Sequence, residues 1–280
     1  SLDGLLWNNG EGLDQCGVHF VEVCSLTSND LLSGLAARAP LLKNSVFSNN
    51  RATQRMAARA FGILASHISL SESNLREVMA DLTHRIMAWK DAIGQVANQV
   101  RGALLAVTYL LSRLAFRRRL HTIPETQIEQ FTEIVFDILH NARDSQLREA
   151  AQIAVGQLSL SGVLSLATLP GVGNWKIVRD KLLQDAKKEN ETSISTLGRF
   201  SLIFPKGNDD ATAFSELLDS LYDLHEIRSP EVQFAVGASL SIAAAGWESK
   251  SLVGEFDVDE EPPKSNVSTV VLANMADKII

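Results

Sequence analysis

The side chains best suited to chemistry in this sequence are Cys16, His19 and Cys24, spaced C-x2-H-x4-C. Thiolate and imidazole ligands can hold zinc when three or four of them converge on one point. On a helix these three positions point to different faces, and no fourth ligand follows nearby. They read as buried cysteines and a partly exposed histidine. His67, His84, His121, His140 and His225 are spread one to a helix or loop end, and none stands beside a nucleophile signature such as G-x-S-x-G. Asp259, Glu260 and Glu261 adjoin one another in EFDVDEEPP, which has the composition of a loop rather than a pocket. The Gly-x-Gly of LPGVGN (169–174) has no strand before it and no Gly-Lys-Ser/Thr after it, so it reads as a turn, not a phosphate loop. These residues predict no enzyme: no catalytic group, no metal, no cofactor and no small-molecule substrate.

Charge gives a different kind of candidate. Arg117, Arg118 and Arg119 are consecutive and follow Arg113, on a chain of net charge -7 and pI near 5.4. This basic spot is a candidate contact for an acidic protein partner. The competing reading is a solvated helix end, where cations suit the helix dipole. The acidic balance of the whole chain argues against nucleic acid, whose binding runs on phosphate neutralisation. Two cysteines cannot make a disulfide framework, which fits a reducing compartment. That usage also argues against secretion, although Asn190-Glu-Thr and Asn266-Val-Ser match glycosylation sequons. No apolar run reaches the roughly 18 residues of a membrane span; the best, 96–111, is broken by Asn98, Gln99 and Arg101. The first residues carry neither an initiator methionine nor a basic leader, so the sequence is expected to be an internal piece of a longer protein.

What must position these residues is legible as a repeat. The twelve residues LREAAQIAVGQL (147–158) form an amphipathic, alanine-rich helix with Gly156 near its end. Glycine in a helix interior costs about 1 kcal/mol against alanine, so close packing should offset it. The same pattern recurs in TQRMAARAFGIL (53–64), VRGALLAVTYLL (100–111), the stretch 189–200 that ends in TLGRF, and VQFAVGASLSIA (232–243). The starts at 53, 100, 147, 189 and 232 are 47, 47, 42 and 43 residues apart. The copy at 189 is the weakest, because Glu189 and Asn190 stand where the others open on an apolar or basic pair. Steps in the 40s match HEAT or armadillo arrays and exclude tetratricopeptide and ankyrin periods.

A second helix fits into each step, at 30–47, 73–89, 124–142, 174–188 and 210–227. In the third of these Ile128, Phe131, Ile134, Val135, Ile138 and Leu139 share one face. Two helices per repeat favour HEAT over armadillo, and Pro40 should kink the first. Asn50, Asp144 and Ser229, each three residues before a copy, are expected N-caps; Ala97 and Ala186 hold that place in the other two, whose helices should start elsewhere. The prediction is an all-α chain, an α-solenoid of about five to six HEAT-like helix pairs wound superhelically. The array covers 1–247, with second helices near 50–66, 94–115, 145–160, 190–204 and 230–247. An acidic, proline-containing loop follows at 248–266, and 267–280 (VSTVVLANMADKII) starts a further repeat. Ala57, Gly62, Ala151, Gly156, Gly198 and Gly237 are the expected repeat-packing positions, where small residues let helices approach. Ordinary alanine-rich helices in a globular bundle are the alternative, and the near-constant step argues against it.

DLLSGLAARAPLLKNSVFS, RMAARAFGILASH and VQFAVGASLSIAAAGWESKSL together resemble the proteasome adapter and scaffold protein family, in a fungal form. The last piece is the most specific, running from Val232 through Gly237 and Leu240 to the Ala-Ala-Gly-Trp at 244–247. The acidic Pro-Pro stretch after it is also similar. The resemblance covers most of the chain, and its motifs are structural rather than catalytic. It implies an internal segment of a large HEAT-repeat scaffold that tethers the 26S proteasome core particle to the regulatory particle and restrains its activity. Links to vesicle-trafficking and motor partners and a cytoplasmic and nuclear location are also implied. No binding residues carry over. A nuclear transport receptor, or another cytosolic HEAT scaffold, is the alternative reading of such an array.

Overall fold

The structure is a computed structural model that describes residues 20–21, 23–24, 29–36, 39–67, 71–171, 174–204 and 211–248. Cys16, His19, Asp259, Glu260, Glu261, the sequon at Asn266, the loop 249–266 and the segment 267–280 lie outside the described residues. Among the described residues every regular element is a helix. The chain divides into two compact units, Ser1–Ala154 and Val155–Ile280.

In the first unit, α1 (Asn29–Ala36) and α2 (Lys43–Val46) flank a 3-10 turn, Ala39–Leu42. The expected kink at Pro40 is therefore an interruption. Proline lacks the N–H for an α-helical bond and disfavours helical geometry in the residue before it. Then come α3 (Arg51–Ala65), α4 (Glu72–Ile86), α5 (Gln95–Phe116) and α6 (Glu125–Asn141). α7 (Ser145–Leu160) begins in this unit. α4 packs on α5, and α3 packs on α5. Residues 100–112 of α5 are buried without a break, which one helix achieves only when it is covered on every side.

In the second unit, α8 (Trp175–Ala186) packs on α9 (Glu191–Phe200), and α10 (Ala211–Tyr222) packs on α11 (Pro230–Glu248). α9 in turn packs on α11. Phe200 and Phe214 are fully buried, and the Phe204 ring meets Trp175 and Phe214 edge-on at centroid distances of 5.3 and 6.4 Å. The side chain of Arg179 on α8 lies over Trp175 and pairs with Glu216 on α10. That hydrogen bond holds the Glu216 carboxyl below the usual carboxylate range. Each unit is thus a stack of helix pairs, the architecture of an α-solenoid.

The helix starts follow local chemistry. The Asn50 side chain accepts from the Thr53 N–H at 3.1 Å, and Asp144 Oδ1 accepts from the Gln146 and Leu147 N–H groups at 2.7 and 3.1 Å. α5 starts after Gly94 and α9 after Asn190, whose side chain accepts from the Ser193 N–H. This explains the weak copy at 189: Glu189, at φ 64°, and Asn190 are turn and cap rather than helix. Ser229 departs from expectation. Its hydroxyl donates to the Glu231 carboxylate at 3.0 Å instead of accepting a backbone N–H. The backbone N–H of Glu231 and then that hydroxyl hold its carboxyl below the usual range.

Candidate functional site

The array can offer only surfaces that its own packing leaves open, so the packing comes first. At the openings of α3, α5 and α7 a polar ladder runs through the first unit. Arg101 is 6% exposed. Its Nε donates to Gln54 Oε1 on α3, and its Nη1 donates to Gln146 Oε1 on α7. Gln54, fully buried, donates in turn to the carbonyls of Asn98 at 2.7 Å and Ser48 at 3.3 Å. Burial, and then the neighbouring Arg51, pull the Arg101 guanidinium below its ordinary range, while Asp144 and Glu149 act against this. A buried cation is tolerated when it is hydrogen-bonded on several sides, and here the partners come from both adjacent helices.

The small residues divide into several kinds. A Cβ built on Gly62 would lie 2.7 Å from the backbone carbonyl carbon of Tyr109 on α5. One on Gly198 would lie 2.6 Å from the Ser239 carbonyl oxygen on α11. Both distances are far inside contact, and both neighbours are backbone. Gly102, absent from the sequence-based candidates, is tighter still, against the Val46 carbonyl oxygen and Gln54 Nε2. Gly156 is looser, with Thr196 and Arg199 atoms at 3.4 Å. Ala57 and Ala151 are buried. Gly237 is exposed and has nothing within 4 Å, because no described helix covers that face of α11.

These distances set apart two substitutions at one position. Gly156→Ala fits in ordinary contact and should leave stability unchanged or raise it by up to about 1 kcal/mol, the helix-propensity gain. Gly156→Leu must displace Thr196 and should cost about 2 kcal/mol by overpacking. Urea unfolding of the two variants checks the pair, and equal midpoints would mean that Gly156 faces open space.

The arginine run is a helix stop. The Arg119 N–H donates to the Leu114 carbonyl at 2.7 Å and the Arg118 N–H to the Ala115 carbonyl at 3.0 Å. With Arg118 at φ 54° between them, this is a Schellman cap. Arg119 Nη1 donates to the Ser66 carbonyl at the end of α3 at 2.9 Å, and Arg113 lies over the Phe116 ring. Arg118 is exposed, whereas Arg113, Arg117 and Arg119 are half-buried. Left-handed backbone costs a non-glycine residue roughly 1–2 kcal/mol, so Arg118→Gly should stabilise the first unit by about 1 kcal/mol in a thermal melt.

An open apolar corner lies elsewhere, where the chain turns from α4 to α5. Met87, Ile93 and Val96 are 54%, 84% and 47% exposed, around a 3-10 turn, Met87–Asp91, and Gly94 at φ 58°. In the sequence these residues look like helix ends, and only the turn geometry pushes them outward. Beside them Lys90 lies over the Trp89 ring and pairs with Asp137 at 3.4 Å.

The described residues include no group of three or more His, Cys, Asp or Glu side chains able to hold a metal ion. Cys24 is buried, and burial pushes its thiol up to about 11. A cleft lined by Phe20, Leu42, Ser45, Thr53, Met56, Ala57 and Ala60 measures about 30 Å³, the share of one liquid water. No described helix is long and apolar enough to cross a membrane.

Stacked helix pairs with glycine and polar contacts between successive second helices define a helical-repeat protein of the α-solenoid class. No family model matches the sequence. The chain is 24% identical, over 276 residues, to the human proteasome adapter and scaffold protein ECM29. That alignment covers 90% of this chain and 14% of the human protein, a distant relation to a small part of its length. Two crystal structures of engineered proteins align with 86% and 85% of this chain and 94% and 95% of theirs. Their identities are 15% and 14%, with TM-scores of 0.44 and 0.46.

Proposed function

We propose that this chain is a segment of a non-enzymatic, HEAT-type scaffold that binds the 26S proteasome and acts in the cytoplasm and nucleus. The observation that carries the reading is the similarity to the human proteasome adapter and scaffold protein, which runs along 90% of the chain rather than along one helix. The architecture is consistent with it. A stack of helix pairs presents long edges to a protein partner. The apolar corner at Met87, Ile93 and Val96 is the surface we assign to the partner, since exposed apolar patches mark contact sites.

The test is capture of purified core and regulatory particles on the immobilised chain. Retention of either particle is expected, and Ile93→Asp combined with Val96→Asp should reduce it about tenfold without changing the melting temperature. No retention of either particle, or retention only of a nuclear GTPase from a purified panel, would discard the proteasome reading in favour of another HEAT scaffold or transport receptor.

A further inference from the structure

The first helices differ in how they meet water. On α4, Glu72 and Asp81 are answered by Arg76 and Arg85 four residues on, at 3.1 and 3.4 Å. On α8, Asp180 pairs with Arg179 and Asp185 with Lys188. α6 holds no lysine or arginine in its 17 residues. It carries Glu125, Glu129, Glu133 and Asp137 instead, at successive steps of four. The three glutamates are exposed. Among the described residues no ion pair or hydrogen bond engages their carboxylates. Like charges four residues apart on a helix repel. Glu125, in the first turn, suits the helix dipole, but Glu129 and Glu133 stand in mid-helix and gain nothing from it. The fold itself has no use for this acidic ridge.

The ridge ends at the apolar corner. Asp137, its last carboxylate, pairs with Lys90 at 3.4 Å. Lys90 lies in the 3-10 turn that Met87 opens, over the Trp89 ring. Just beyond that turn the Ile93 carbonyl accepts from the Val96 N–H at 3.2 Å. Met87, Ile93 and Val96 are the exposed apolar side chains there. The first unit therefore has a surface with an apolar end and an acidic run. At helical rise the run from Asp137 back to Glu125 is about 18 Å long, with a carboxylate about every 6 Å. Lys90 neutralises only the carboxylate nearest the corner.

We infer that the partner element seated on the apolar corner is a basic amphipathic segment. Its apolar side chains meet Met87, Ile93 and Val96, and its lysines or arginines lie along Glu125, Glu129 and Glu133. Charge complementarity selects the sign, since three uncompensated carboxylates repel an acidic segment. The inference rests on the corner being a partner surface, and it specifies the chemistry of that partner.

The test uses the whole chain and three synthetic amphipathic peptides of equal length. The first has leucines on one helical face and lysines on the other. The second has glutamates for the lysines, and the third has serines for the leucines. In fluorescence anisotropy the first should bind, and each of the others should bind about tenfold more weakly or worse. Glu125→Gln, Glu129→Gln and Glu133→Gln together should weaken the first peptide about tenfold and flatten its salt dependence, because salt screens exposed charges. The melting temperature should not fall. Ile93→Ser with Val96→Ser should weaken the same peptide by a similar factor. Unchanged affinity in the glutamine variant would overturn the proposal, as would equal binding of the glutamate peptide or no binding of the first. Tight binding of the serine peptide would overturn it too, because charge alone would then hold the segment. Particle capture separates this inference from the proteasome reading. Retention that is lost with Ile93→Asp and Val96→Asp but not with the three glutamines would keep that reading and discard this inference. No retention of either particle, with the peptide results as expected, would do the reverse.

Discussion

Gly102→Ala should lower the stability of the first unit by about 2–3 kcal/mol, the upper part of the range for overpacking. The added methyl would enter the space of the Val46 carbonyl oxygen and lie 2.9 Å from Gln54 Nε2. Neither neighbour can give easily. Val46 is backbone at the end of α2, and Gln54 is held by Arg101 and by the Asn98 and Ser48 carbonyls. Against this stands the helix-propensity gain of alanine over glycine, about 1 kcal/mol, which is too small to reverse the sign. For a domain of this size each kcal/mol moves the melting temperature by about 2–4 °C. Calorimetry on the variant should therefore show a drop of roughly 4–12 °C in the transition of the first unit. A midpoint unchanged or raised would mean that α2 and α5 do not approach as closely as described.

Arg101→Ala should cost about 3 kcal/mol, by a different mechanism. Gln54 Oε1, fully buried, would lose its donor, and leaving a buried acceptor unsatisfied costs about 1–3 kcal/mol. The rest comes from the packing of the arginine stem, since a long side chain buries its methylenes even where its head is polar. Arg101→Met separates the two contributions: it restores the stem and not the donors, and should recover about 1 kcal/mol. Gln146 is half-exposed and can turn to solvent, so Gln54 bears most of the cost. Because Gly102→Ala also disturbs Gln54, the double variant Arg101→Ala/Gly102→Ala should lose less than the sum of the two, as residues that share a partner do. Additive losses would show that Gln54 does not link them. Urea denaturation of the four proteins completes the cycle.

How far the sequence went can be judged from these residues. The helical pattern and its step were visible because a second helix packed against two neighbours must be small along one stripe and apolar along another. That requirement recurs with every copy. Asn50 and Asp144 were legible because capping is a local event, settled within three residues. Ser229 had the same local chemistry and a different outcome: its hydroxyl turns to donate to the Glu231 carboxylate, a charge-assisted bond. Gly102 stood inside a quoted copy without attracting notice, and Arg101 drew notice only as a break in an apolar run. What singles them out is a carbonyl 56 residues back in the chain and a glutamine 47 residues back, and no window of sequence contains either pair.

The candidate surface was less legible than the fold. A run of arginines suggested a partner contact; in the folded chain its backbone closes a helix and Arg119 ties α5 to the end of α3, while Arg118 stays exposed. The exposed apolar corner at Ile93 gave no signal, because isoleucine at a helix boundary looks the same whether it turns inward or out. By itself, the sequence determined an all-α chain of helix pairs with a step of 42–47 residues, since periodicity and spacing follow from the covalent chain and from which faces must be apolar. Only the tertiary structure decided which glycines are sterically required, which arginines are already engaged and which face of α11 stays open. Those properties depend on distances between helices, and such distances are set when side chains far apart in the chain compete for the same space.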